Sequence, residues 1–585
     1  MLRGCTLGSF NLCEDMTARQ LYRVVWLMAG IVLACGWLLP PLMDFDAAQI
    51  GTISMGMFQR GDWLTILNRS YTGGYLYDYL DKPHLVYWSA MLGYKIFGIG
   101  HTGMRFFSIL ATLVAAWAVA KLAMRLYGAE AGRWAALIFL TSQAIMLANH
   151  DVRTDSLLTA FTALAVWQLV IWVETRRWLP FVAGFLFLAL SVGSKGLIGP
   201  IVAGCALFFF LLGRRDWSGI LNARWPLGLL VFFVGLSPFL YAYYLQFDMH
   251  PEKLVNGGNG RSGVKFLLWS HSMDRFAGNR DLVASPEFSF FFHTILWAFL
   301  PWTIVLVTGV WDRLRGLWTS RGSSFFSQEQ LSFAGVWVMF CVMSMAKFKL
   351  PHYLNILFPL LAVSAAGWLW RLQLAGRVGF LKGLWKVHGW LSGILLLAVG
   401  IIVVWSFPLT NIWISLGLIG FGGLAYYIRR RHDLVAADRL VLYTASVALM
   451  VNLVLNAHFY PNLLAYQSGN RMPAVLKEQG VQPSDLKLYG RVVRSLDFYL
   501  QRSVPVVDSL EIHRLAEGGQ EVKLFVSAGS HDSLLLQYPS ARLLAEVPDM
   551  RVTRLTLRFM DPAKRMEQMP MGGLYVVGAA ELPKK

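Results

Sequence analysis

Apolar residues along this chain gather into runs of about twenty, separated mostly by short polar turns. A helix rises 1.5 Å per residue, so a run of ~20 apolar residues crosses the ~30 Å of a bilayer's hydrocarbon. The pattern predicts thirteen spanning helices, near 22–42, 103–124, 134–149, 156–174, 179–193, 196–213, 226–246, 288–310, 331–346, 351–370, 387–406, 411–428 and 438–459. Two polar intervals, 43–102 and 247–287, are too long to be plain connectors, and long loops often carry function. The apolar stretch 84–99 has only 16 residues and contains Lys95, so it reads as a juxtamembrane or re-entrant helix and not as a span. Beyond 470 the pattern changes. Val504–Val507, Val522–Val526 and Leu574–Val577 read as short strands, with a helix from Ser509 to Ala516. The expected architecture is a polytopic α-helical membrane protein. A cytoplasmic N-terminus (1–21) precedes a membrane domain (22–470) and a small exported α/β domain (471–585).

Composition agrees with the pattern. Of 585 residues, 56% are hydrophobic and 15% charged, which excludes a soluble enzyme, a disordered chain and a fibrous protein. Mean hydropathy is +0.50. The 52 basic and 34 acidic residues leave a charge of +18. On an apolar chain that excess points to cytoplasmic loops facing anionic lipid, not to nucleic acid. Counting thirteen spans puts the basic clusters on one side, among them Arg176–Arg177, Arg214–Arg215 and Arg429–Arg431. By the positive-inside rule that side is cytoplasmic. The polar oddities and the tail from 460 then face the exported side. The five cysteines form no framework, and none lies beyond 470.

The candidate chemistry crowds that exported side. Asp44-Phe45-Asp46 follows the first span, where a carboxylate suits a general base, a cation ligand or a solvated interfacial acid. Asp81-Lys82-Pro83-His84 closes the first long loop, and Lys82 suits either a lipid phosphate or a snorkelling anchor. His150-Asp151-Val152-Arg153-Thr154-Asp155 reads as an ion-pair cluster, a helix cap or a catalytic group. Lys195, between Ser194 and Gly196, suits a phosphate or a helix end. In the second long loop, His271 and Arg275 share a helical face behind the hinge-like Asn256-Gly257-Gly258-Asn259-Gly260. Lys347-Phe348-Lys349-Leu350-Pro351-His352-Tyr353 puts two lysines against the positive-inside trend, and an anionic partner would explain them. The chain contains no P-loop, HExxH or CxxC, and nothing points to a nucleotide, flavin or haem.

Taken together these motifs resemble the polyprenyl-phosphate-sugar glycosyltransferases of the GT-C class, in particular the lipid A aminoarabinose transferases and the protein O-mannosyltransferases. The match runs from about 40 to 365 through Asp46, Gly61-Asp62-Trp63, Asp81-Lys82-Pro83, Tyr87-Trp88, Arg105, Arg153 to Thr159, Lys195-Gly196, His271 to Phe276, Pro301-Trp302 and Lys349 to Tyr353. Asn462 to Ser468 also looks like the family. There are departures: Ala47 follows Asp46 where the family often has Glu, Asp81 stands where Glu is usual, and His84 replaces a second proline.

The resemblance implies a GT-C fold and an inverting sugar transfer from a polyprenyl-phosphate donor to a glycolipid or protein acceptor. The enzyme would sit among the lipids of a bacterial inner membrane and act on its exported face. Asp46 would be the base, with Asp44 a candidate helper. Lys82, Arg275, Lys349 and Tyr353 would hold the donor phosphate, supported by Asp81, Arg153, Asp155, Lys195 and His352. It also suggests one divalent metal ion shared by Asp81 and His271, a set of only two ligands. The rival reading is a transporter or flippase of a lipid-linked sugar. A transporter would carry ionisable residues at mid-bilayer, and here the polar residues crowd one face instead.

Overall fold

The computed structural model describes residues 16–278, 287–326, 328–552 and 555–578. Most of the expected N-terminal segment, and 279–286 of the second long loop, lie outside these. Among the described residues nine helices are long and apolar enough to cross a membrane, and a tenth is added if Ala129–Leu140 and Gln143–Asn149 are one span bent by 59°. The other three expected spans are helical but short or broken. Ile198–Gly213 and Ala334–Met345 fall below span length. The run at 288–310 is broken between Phe290–Ala298 and Thr303–Thr319, where the Leu300–Pro301 bond is cis. Proline has no N–H for the helical ladder, so the helix restarts beyond it.

The stretch read as non-spanning is the 13-residue helix Leu85–Phe97. It lies close against His101–Tyr127. A methyl group on Gly93 would come within 1.9 Å of the Gly103 carbonyl oxygen, so this crossing requires glycine. Just before it, β1 (Leu67–Arg69) and β2 (Leu76–Asp78) form an antiparallel hairpin.

The C-terminal domain is a five-stranded sheet. Its strands are β3 (Leu486–Tyr489), β4 (Val506–Val507), β5 (Val522–Val526), β6 (Arg542–Pro548) and β7 (Met571–Val577), in the order β4-β3-β5-β7-β6. β4, β3 and β5 are parallel, with helices Arg494–Tyr499 and Ser509–Glu517 in the crossovers, while β7 and β6 add antiparallel strands. The sequence anticipated β4, β5, β7 and the second of these helices. The domain is tied to the first long loop by a buried ion pair, Arg69 Nη1 to Asp497 Oδ2 at 2.6 Å. Val492 N–H donates to the Tyr71 carbonyl (2.8 Å), and Leu42 N–H donates to the Tyr499 hydroxyl (2.7 Å).

Candidate active site

At one end of the bundle, helix termini and loops enclose a polar cavity of about 1000 Å³. Asp46 is the first residue of helix Asp46–Arg60. Asp81 and Lys82 sit in the turn before Leu85–Phe97, and Arg153 precedes the helix that starts at Asp155. Lys195 ends Trp178–Lys195. Gly196 stops that helix with φ +71°, and a side chain there would meet His271 Nδ1 at 2.7 Å, so the glycine lets the two loops close together. Arg275 lies on His271–Ala277, and His352 and Tyr353 open the turn Pro351–Leu357. Residues more than 300 positions apart in sequence thus line one cavity.

Asp46 stands among cations. Its Oδ1 accepts from Lys82 Nζ at 2.5 Å, and its Oδ2 lies 3.2 Å from Arg153 Nη1. Burial pushes the Asp46 carboxyl up, but Lys82, Arg153 and Lys195 outweigh it and hold the group below the ordinary carboxylate range. Arg153 also donates from Nε to Asp151 (2.7 Å) and from Nη1 to His352 Nδ1 (2.9 Å). The other ring nitrogen, Nε2, lies 3.4 Å from the same Nη1, and a guanidinium only donates, so the imidazole is the acceptor of this contact. Lys195 Nζ is held by Asp155 (2.7 Å) and lies 4.1 Å from the centre of the Tyr353 ring. Arg275 Nη2 pairs with Asp81 at 2.8 Å, and Tyr79 donates to the other Asp81 oxygen at 3.0 Å.

The cavity lining holds six cationic residues (Lys82, Arg153, Lys195, Arg261, Lys265, Arg275) and four acids (Asp46, Asp81, Asp155, Asp274). That is an excess of two positive charges at one mouth. A second, apolar groove of about 290 Å³ adjoins it and shares Asp155, Lys195, His271, Arg275, Phe348 and Tyr353. Ile198, Ile201, Phe291, Met339, Val342 and Met343 line the rest of its length.

Two expectations need correction. Asp44 does not face this cavity. Phe45 has φ +77°, which turns the chain between the two acids, and Asp44 accepts from Ser495 N–H of the C-terminal domain instead. Lys349 is not part of the lining. Its Nζ donates to the Ser344 carbonyl at 2.9 Å, and the side chain is buried away from the cavity. The two ligands expected of a metal ion, Asp81 and His271, both line the cavity, and the Arg275 guanidinium pairs with Asp81. Among the described residues no three His, Cys, Asp or Glu side chains come together to hold one. The sequence also passed over Gln49, whose Oε1 accepts from Lys82 at 3.2 Å and lies 3.2 Å from the Tyr79 hydroxyl, and the cationic pair Arg261 and Lys265. The latter two follow the glycine hinge at a spacing of four, a legible signal that was absorbed into the hinge.

The fold and this cavity define a multi-pass helical membrane protein with a cation-lined site among its helix termini. Residues 81–242 match the family model for dolichyl-phosphate-mannose-protein mannosyltransferases. An undecaprenyl phosphate-α-4-amino-4-deoxy-L-arabinose arabinosyl transferase of Edwardsiella ictaluri is 25% identical over 461 residues, covering 74% of this chain and 76% of that one. An Aquifex aeolicus protein of no stated function is 28% identical over 300 residues, and the match spans 53% of its length. In fold, the chain is similar to ArnT of Cupriavidus metallidurans, both apo and bound to undecaprenyl phosphate. The TM-score is 0.70 in each case, over 97% of this chain and all of that one, at 18% and 20% identity. These likenesses agree with the resemblance drawn from the motifs.

Proposed function

We propose that this protein is an inverting glycosyltransferase that moves a sugar from a polyprenyl-phosphate carrier to an envelope acceptor at the exported membrane surface. One observation carries the reading: a carboxylate set among cations in a polar cavity that opens into an apolar groove. The groove suits an isoprenoid chain, and the cationic junction between the two suits the phosphate that joins chain to sugar.

The chemistry follows from the geometry. The acceptor hydroxyl attacks the anomeric carbon as the bond from that carbon to the phosphate oxygen breaks. The hydroxyl proton passes to Asp46, and polyprenyl phosphate departs with the electron pair. Lys82 and Arg275 stabilise charge on the leaving phosphate, with Lys195 and Tyr353 beside them. A low pKa makes Asp46 ionised but weakly basic. A donor phosphate competing for Lys82 would loosen that clamp and strengthen the base when it is needed. The similarity to the aminoarabinose and mannosyl transferases supports a lipid-linked donor, and the acceptor is a glycolipid or a protein hydroxyl.

The test is transfer of a radiolabelled polyprenyl-phosphate sugar to envelope extract in proteoliposomes. Label should reach the acceptor with wild type and fail to do so with Asp46→Asn. Label that crosses the bilayer without being transferred, at the same rate in wild type and Asp46→Asn, would establish the flippase reading instead.

A further inference from the structure

A second cleft, about 200 Å³, lies where the C-terminal domain meets the first long loop. Its place in the fold is informative. In an open parallel sheet, ligands bind outside the carboxyl ends of the strands, where successive connections leave in opposite directions. In the order β4-β3-β5 that point lies between β3 and β5. The segment leaving β3, Arg491 to Arg494, lines the cleft. The segment leaving β5 reaches it through Ala528 N–H, which donates to the Asp549 carboxylate at 3.0 Å.

Three arginines line this cleft. Arg491 is held by Asp549 (3.0 Å) and by the Tyr71 hydroxyl (2.5 Å), which fixes its guanidinium. Arg494 lies over the same Tyr71 ring at 5.6 Å, and its buried Nε–H has no hydrogen-bond partner among the described residues. Arg551 lies over the Phe45 ring at 4.7 Å. Two acids, Asp549 and Asp44, face the three cations. Asp549 is already committed to Arg491, to Ser468 (2.6 Å) and to Ala528. A buried guanidinium N–H without a partner is costly, and an oxyanion would satisfy it.

The cleft backs directly onto the proposed base. Asp44 and Asp46 belong to one tripeptide, and two residues of chain span at most ~7 Å. Cleft and cavity therefore lie on either side of one tripeptide, Asp44 lining the first and Asp46 the second. The donor phosphate has its own cations in the first cavity.

We infer that the cleft at the carboxyl edge of the C-terminal sheet is an anion subsite that holds a phosphate of the acceptor while another of its groups lies at Asp46. This rests on the transferase reading given above. Arg494, through its Nε–H, and Arg551 supply the donors, and Arg491 frames them.

The test is binding to the full-length protein in detergent. It uses Asp46→Asn as background, so that no turnover intervenes. The probe is an acylated glucosamine disaccharide bisphosphate, compared with the same lipid after phosphatase treatment. The expected result is phosphate-dependent binding that weakens about tenfold or more in Arg494→Gln/Arg551→Ala and persists in Lys82→Ala. Arg551 is exposed, so Arg551→Ala alone keeps the question open to test should the double variant not fold. Binding that ignores the phosphate, or is lost with Lys82→Ala and kept in the arginine variants, overturns the subsite. So does displacement of the lipid by millimolar inorganic phosphate, which would make the ligand free phosphate. Loss of transfer at Asp46→Asn does not enter this measurement. The subsite therefore stands or falls separately from the base assignment.

Discussion

Asp44 and Asp46 are two residues apart, in one motif, and they occupy opposite chemical settings. Asp46 meets two cationic side chains, and these hold its carboxyl below the ordinary range despite burial. Asp44 meets a backbone N–H from the C-terminal domain. There burial dominates, and the Ser495 contacts only partly offset it, so the carboxyl is raised. Identical side chains are pushed in opposite directions by what they face. The left-handed turn at Phe45 sends one acid to the bundle cavity and the other to the domain joint. A tripeptide can thus serve two sites.

The comparison breaks most readily at the first acid. Asp46→Asn removes the proton acceptor and should slow transfer by about 10²- to 10⁴-fold. Asp44→Asn keeps a hydrogen-bond acceptor for Ser495 N–H and should cost less than about tenfold, within the usual worth of one such contact. Equal losses, measured as kcat/KM, would undo the separation of roles.

The joint between the two regions can be tested next. Arg69→Met leaves Asp497 buried without its partner, and breaking such a pair costs about 3–5 kcal/mol. Thermal unfolding in detergent should show the C-terminal domain loosened. Lys82→Ala follows. The donor KM should rise about tenfold, and the pH profile should move. The sign is fixed by the direction of the Asp46 displacement. Its folded pKa lies below ordinary, so the carboxylate persists as pH falls and is lost only on passing that depressed value. Without Lys82 the pKa rises, and the acid limb of kcat/KM should begin at higher pH. A limb that stays in place would show that Lys82 does not set the charge of the base.

Much of the first region was legible before any coordinates, because charge on so apolar a chain stands out. Asp46, Lys82, Arg153, Lys195 and Arg275 mark helix ends that hydropathy had already set on one side, and they converge in one cavity. The second region was largely hidden. β3 has only four residues, and β6 (Arg542–Pro548) mixes Arg, Glu and Pro with its leucines, so neither gave a clean alternation. Without them there is no β4-β3-β5 order, and so no carboxyl edge at which Arg491 and Arg494 could be placed. The parting of Asp44 from Asp46 was equally out of reach. It depends on a positive φ at a phenylalanine, a conformation that the residue type argues against.

The smallest effect on transfer is expected at Lys349, and the reason is geometric. From the motifs alone, Lys349 and Lys82 are both expected to hold the donor phosphate. Lys82 reaches into the cavity and touches Asp46. Lys349 lies between Phe348 and Leu350, both of which line the cavity, but its own side chain turns back to cap the Ser344 carbonyl at the end of helix Ala334–Met345. A cation at a helix C-terminus is favourable there, by about 0.3–1 kcal/mol on the exposed scale. Lys349→Ala should therefore lower thermal stability modestly and leave the donor KM within about twofold of wild type, well short of the change from losing a charged hydrogen bond to the donor. A tenfold rise matching Lys82→Ala would mean that Lys349 swings into the cavity when the donor binds. The boundary between its structural and phosphate-binding roles would then have to be redrawn.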